Sequence, residues 1–137
     1  MPPPRKTADN EKSEKITINV GLVDLGQIDL LVSEGFFANR TDFIRTAIRR
    51  QLESRSGAVD STVARRALTL GSEHLSRTDL EELRDAGQTV ELRVLGLATI
   101  ADDVTPELAL ATIAAVEVLG AFRAPRAVKA ALASRIT

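Results

Sequence analysis

The 137-residue chain contains no cysteine, no tryptophan and no tyrosine, one histidine and four phenylalanines. Without cysteine there is no disulfide framework and no thiolate chemistry, which suits a reducing compartment. A single imidazole, His74, with no thiol to join it, excludes a structural zinc site of the usual four-ligand kind. It also leaves no defensible Ser/His/Asp grouping. The scarcity of aromatic rings removes the platforms on which single-stranded nucleic acids stack. No apolar run reaches membrane-spanning length, and the N-terminus lacks the apolar core of a secretory signal. A cytoplasmic protein with no membrane partner is therefore expected. The formal net charge is −1. A chain coated in basic residues is excluded, so any polyanion would have to meet a local basic face. Charge is spread evenly, with nine Lys/Arg against eight Asp/Glu in residues 1–56 and nine against eleven in residues 57–137. Asp102 and Asp103 followed by Glu107 form the one carboxylate cluster to weigh for a divalent ion. Their place before a helix start makes solvation or capping the simpler reading. Gly96 and Gly120 have neither the spacing nor the lysine of a phosphate-binding loop. No enzyme chemistry, no cofactor and no metal are expected.

What is present is organised around Lys15–Glu53. Lys15-Ile16-Thr17-Ile18-Asn19-Val20 alternates with period two. Ile16, Ile18 and Val20 fall on one side of a strand, and Lys15, Thr17 and Asn19 on the other. Two amphipathic helical patterns follow. The first, over about 22–34, carries Leu22, Leu25, Ile28, Leu31 and Val32 as its apolar stripe. Gly35 is a natural residue just past its end. Asn39 is a good N-cap for the second, over about 40–54, and Asp42 completes a capping-box-like pattern. Phe43, Ile44, Ala47, Ile48 and Leu52 form its stripe, with Arg45, Arg49 and Arg50 outside it. Gly26 weakens the first helix by about 1 kcal/mol relative to alanine, for which close packing is a candidate reason. A lone strand leaves its backbone donors and acceptors unpaired. With no second strand nearby, the expected partner is the same strand of a second chain, in a two-stranded antiparallel ribbon.

Order, spacing and residue character of this stretch together resemble the ribbon-helix-helix (MetJ/Arc, CopG-like) DNA-binding family. The resemblance covers about 40 residues, under a third of the chain. It implies an intertwined homodimer through residues 15–54 whose paired ribbon enters the major groove of double-stranded DNA. By position, Lys15, Thr17 and Asn19 would contact bases. Asn39, Arg40 and Thr41, at the start of the second helix, would contact phosphates. Residues 1–13, rich in proline and polar groups, read as a disordered arm. Arg5, Lys6 and Lys12 are within reach of phosphates beside the ribbon, although a solvated tail is the simpler reading. Some relatives carry a metal-sensing C-terminal domain; this chain lacks those His and Cys ligands.

Residues 56–67 read as a linker with a short helix capped by Asp60, and Arg65 and Arg66 as a solvated face. Residues 68–137 hold an internal repeat. Val94-Leu95-Gly96 recurs as Val118-Leu119-Gly120, an offset of 24. A fainter copy, with Leu70-Gly71, lies 25 residues before Leu95-Gly96. Each unit reads as a short strand, a glycine-containing turn and a short helix. Ser76 or Thr78, Thr105 with Pro106, and Pro125 mark the helix starts. Strands are expected near 68–70, 89–95 and 114–119, parallel because a helix lies between each pair. The period is loosely similar to leucine-rich-type solenoids. An ordinary α/β domain with chance similarity is the alternative. The last strand is apolar, and an open edge there would pair with another chain, giving self-association, or need capping.

The expected fold class is thus α+β: a ribbon-helix-helix dimer over residues 14–55 and a small C-terminal α/β solenoid-like oligomerisation domain over 68–137. The expected function is sequence-specific transcription regulation at the nucleoid. The alternatives are an antitoxin that binds a protein toxin, and a DNA-anchored polymerising or scaffold protein.

Overall fold

The computed structural model describes residues 12–137. Arg5, Lys6 and nearly all of the expected N-terminal arm lie outside them. Residues 13–62 and 63–137 form two compact units.

The first unit contains α1 (Leu22–Ser33) and α2 (Arg40–Ser54), with residues 13–21 entering in no helix and no sheet. Gly35, at φ +84°, closes α1. The Gly35 N–H donates to the Val32 carbonyl and the Phe36 N–H to the Leu31 carbonyl. This paired arrangement satisfies two otherwise orphaned carbonyls and requires the left-handed residue between them. Ile28 is the one buried side chain of the unit, and Phe37 meets Phe43 edge to face at 5.0 Å. Leu25, Leu31, Val32 and Phe43 are partly buried, whereas Leu22, Leu30, Ile44, Ile48 and Leu52 stay open to solvent. A Cβ on Gly26 would meet nothing within 4 Å among the described residues, so packing against them is not the reason for that glycine.

Helix α3 (Ser56–Arg66) follows α2 after a single residue, Arg55. The stretch expected as a linker with a short helix is therefore helix almost throughout, and Asp60 lies inside the helix instead of capping it. Arg66 is not part of a solvated face either, because its guanidinium pairs with Glu117.

The second unit alternates strand and helix: β1 (Thr69–Leu75), α4 (Arg77–Asp85), β2 (Val90–Ile100), α5 (Pro106–Thr112), β3 (Ile113–Arg123) and α6 (Arg126–Ala131). The three strands make one parallel sheet in the order β1-β2-β3. Ser76 begins α4 with a full capping box, and Thr105 caps α5 with Pro106 at its first position. Pro125 stands just before α6 as its cap residue. Along β2 the side chains alternate. Leu92, Val94, Ala98 and Ile100 are buried and join Leu80, Leu108, Val128 and Leu132 of the helical side in one apolar core. Arg93, Leu95, Leu97 and Thr99 line the opposite face. Arg93 and Glu117 are partners in the β2–β3 register and form an ion pair at 3.1 Å, so Glu117 is held by two arginines, Arg66 and Arg93.

The repeat seen in the sequence is the register of this sheet. Gly71 pairs with Gly96 and Gly96 with Gly120. The glycines are not in turns. Each lies inside its strand, and β2 and β3 run well beyond them. All three have φ between +120° and +139°, a conformation that distorts a strand without ending it and is open essentially to glycine alone. A turn was expected because glycine ordinarily punctuates strands. Here it permits close approach: a Cβ on Gly96 would lie 2.1 Å from the Gly71 carbonyl oxygen, and one on Gly120 would lie 2.1 Å from that of Gly96.

The edge of β3 is capped in part, one of the two outcomes expected for it. The C-terminal segment folds back onto it, with Ile136 bridged to Val116 and the Thr137 N–H donating to the Val116 carbonyl at 2.9 Å. Arg135 anchors the segment through the Leu110 and Ile113 carbonyls. Among the described residues, the outer edge of β1 has no such cover.

Candidate nucleic-acid interface

Residues 15–20 form no hydrogen-bonded ladder with the other described residues of their own chain. Lys15, Thr17 and Asn19 are exposed on one flank. On the other flank Ile16 is 76% and Ile18 67% exposed. Free-standing apolar side chains in such alternation have no reason to face water, since each would gain about 1.5–3 kcal/mol on burial.

The second group of expected contact residues meets at the head of α2. The Asn39 side chain accepts the Asp42 N–H at 2.8 Å. The Asp42 carboxylate reaches back to accept the Ala38 N–H at 2.9 Å, one residue earlier than in a standard capping box. The backbone N–H groups of Arg40 and Thr41 have no partner among the described residues. They concentrate the positive end of the helix in an exposed position, which is a ready-made seat for a phosphate. Arg45, Arg49 and Arg50 are exposed farther along the same helix.

Arg40 has a second relation that sequence reasoning missed. Its Nε and Nη2 donate to the two carboxylate oxygens of Asp29 at 2.7 and 2.8 Å. This fork ties α2 to α1 and orients the guanidinium, leaving Nη1 without a partner among the described residues. Opposite charges outside the two apolar stripes were visible in the sequence, but their pairing depends on how the helices cross. The hydrogen bond from Arg40 holds the Asp29 carboxyl below its ordinary pKa of 3.8 and raises that of Arg40. A carboxylate with a depressed folded pKa contributes stability above its unfolded value and loses it as pH falls through the folded one. The α1–α2 tie should therefore persist at neutral pH and release only below about pH 4. An NMR titration of the Asp29 carboxyl would follow it, and Asp29→Asn should abolish the fork at every pH.

In the other unit, His74 donates to or accepts from Thr99 at 2.6 Å across the β1–β2 register. Among the described residues, no group of three or more His, Asp or Glu is placed to hold a metal ion, and no helix is long and apolar enough to cross a membrane.

The model of the ribbon-helix-helix transcriptional regulator family matches residues 11–129. The chain belongs to this family. The match extends from before the period-two segment through β1, β2 and β3 to Lys129. The strand–helix unit is thus a feature of these ribbon-helix-helix regulators and not an unrelated appendage. Neither the curated proteins nor the solved structures compared with the chain give a match. As a ribbon-helix-helix regulator the protein is a DNA-binding protein.

Proposed function

We propose that the protein is a homodimeric, sequence-specific transcriptional regulator that reads the major groove with paired 15–20 strands. The observation that carries this reading is the period-two segment itself, with an apolar flank, a polar flank and no strand partner among the described residues of its own chain. Antiparallel pairing with a second copy satisfies its backbone groups. It also turns Ile16, Ile18 and Val20 of both chains onto the helices, whose exposed Leu22, Leu30, Ile48 and Leu52 need the same cover. The opposite face then presents Lys15, Thr17 and Asn19 twice. Lysine donates to guanine O6 and N7, asparagine makes a two-point contact with adenine, and threonine contacts a base edge or a thymine methyl.

Asn39, Arg40 and Thr41 fix the register of the protein on the phosphate backbone. Two backbone N–H groups and the guanidinium steadied by Asp29 support that role. Arg40→Ala should weaken binding to every duplex by a similar factor and flatten its salt dependence, because one phosphate contact per protomer is lost. Fluorescence anisotropy on the duplex from upstream of its own gene, and on a scrambled duplex, measures both. A loss confined to one base pair would contradict the backbone role.

The C-terminal unit, with its stacked strand–helix repeats in solenoid-like order, raises the order of assembly so that several dimers occupy adjacent half-sites. Such a protein works on cytoplasmic DNA at the nucleoid. The antitoxin reading is less well supported, since toxin-binding tails are commonly disordered until bound, whereas residues 63–137 form a compact unit with a buried core.

A further inference from the structure

We infer that the C-terminal unit docks head to tail on a second copy of this chain, with residues 118–122 of β3 pairing in parallel with residues 69–73 of the next copy's β1. This rests on the assembly role proposed above and specifies its geometry. The ladder Gly71–Gly96–Gly120 is the first reason. Gly96 and Gly120 must lack a Cβ because the carbonyl of the preceding glycine occupies that place. Gly71 adopts the same positive φ, at +122°, yet among the described residues nothing lies within 4 Å of where its Cβ would be. It therefore has room for the carbonyl of a preceding glycine, and among the described residues Gly120, the last of the ladder, has no following strand to meet its own.

The C-terminal cap is the second reason. Ile136 and Thr137 cover β3 at Val116, which matches Leu92 in β2. The position in the β1 repeat corresponding to these is Ala67, which precedes the strand. The cap thus covers the part of β3 that β1 could not pair with. Beyond Val116, no described residue bonds to the outer edge of β3 through Phe122.

The side chains agree with the same register. Leu70, Leu95 and Leu119 form one row across the sheet. The two ends of that row, Leu70 and Leu119, are 66% and 43% exposed, and head-to-tail docking places them together. The helical layer is complementary in charge. α6, at the β3 end, carries Arg126 and Lys129 and no acid, whereas α4, at the β1 end, carries Asp79, Glu81, Glu82 and Asp85 against Arg77 and Arg84. Two different edges meet in this contact, so it is heterologous and generates an open array instead of a closed pair. Each added copy extends the sheet by three strands, roughly 14 Å at the usual strand spacing.

The test is light scattering of the full chain over a concentration series, with Leu70→Lys and Leu119→Lys as single variants. Both positions are exposed, so the fold survives the change. The wild type should grow well beyond the mass of two 14.7 kDa chains, and each variant alone should hold it near two. Combining Leu70→Lys with Leu119→Glu puts opposite charges at the contact and should restore growth. If only one of the single variants lowers the mass, the contact joins like edges, and the head-to-tail register is overturned while assembly stands. The register is also overturned if neither variant lowers it. If the wild type stays at two chains throughout, both the register and the assembly role fail. Anisotropy on duplex DNA, run in parallel, then reports whether the DNA-binding reading survives.

Discussion

Gly96→Ala should unfold or severely loosen the C-terminal sheet. The added Cβ would sit 2.1 Å from the Gly71 carbonyl oxygen, a backbone atom that cannot swing aside. The residue must also hold φ at +139°. Backbone strain of this kind costs about 1–3 kcal/mol. Forcing β1 and β2 apart adds about 1–3 kcal/mol more, as overpacking does in any tight interior. The sum is a large share of the 5–15 kcal/mol that holds a typical domain together. Gly120→Ala meets the Gly96 carbonyl at the same distance and should behave alike. Gly71→Ala carries only the strain, because no atom of the described residues opposes its Cβ. Thermal melts followed by circular dichroism should therefore rank Gly71→Ala well above the other two, with gaps on the order of 10 °C. Equal melting points across the three would contradict the close-approach explanation.

The Thr17→Ala/Asn19→Ala double variant should lose sequence preference while keeping its fold and its affinity for arbitrary duplexes. Neither side chain contributes to packing in the described chain; both are exposed. In a paired ribbon each substitution acts twice. A good side-chain contact to a base edge contributes about 1–3 kcal/mol of discrimination. Losing the asparagine from both strands should thus lower affinity for the preferred site by roughly 30-fold or more, since about 1.4 kcal/mol is tenfold. Binding to scrambled DNA, which depends on phosphates, should hardly change. An unchanged ratio between the two duplexes would show that the ribbon does not read sequence.

Much of this architecture was legible in the sequence, and the exceptions have definite causes. Helix α2 was expected over about 40–54 and spans Arg40–Ser54, because Asn39 and Asp42 mark its start by side-chain chemistry that acts locally. The three parallel strands and the 24- to 25-residue repeat were readable because identical residues had to meet in one register. The strand lengths were not. A glycine inside a strand looks the same in sequence as a glycine in a turn, and only the carbonyl opposite Gly96 tells them apart. Asp60 was assigned a cap because it is a good one. Ser56 nevertheless lies inside a helix that follows α2 almost without interruption. The Asp29–Arg40 fork and the folding of Ile136 onto Val116 join residues distant in sequence, and no periodicity encodes them. Among the expected contact residues, local chemistry accounts for Asn39, Arg40 and Thr41 at one helix end, while Lys15, Thr17 and Asn19 acquire a role only when a second chain is added.

Cross-linking tests for that second chain directly. The protein has no cysteine, so single cysteines placed in turn at positions 15–20 of the full chain can cross-link only to their own copies. A disulfide needs Cα atoms within about 4.4–6.8 Å. Antiparallel pairing about a two-fold axis brings that separation only to residues near the middle of the strand. Mild oxidation should give covalent dimers with one sharp maximum inside the strand, falling away toward Lys15 and Val20, and the cross-linked species should still bind duplex DNA. No cross-linking at any position, or equal cross-linking at all of them, would contradict the paired ribbon on which the account depends.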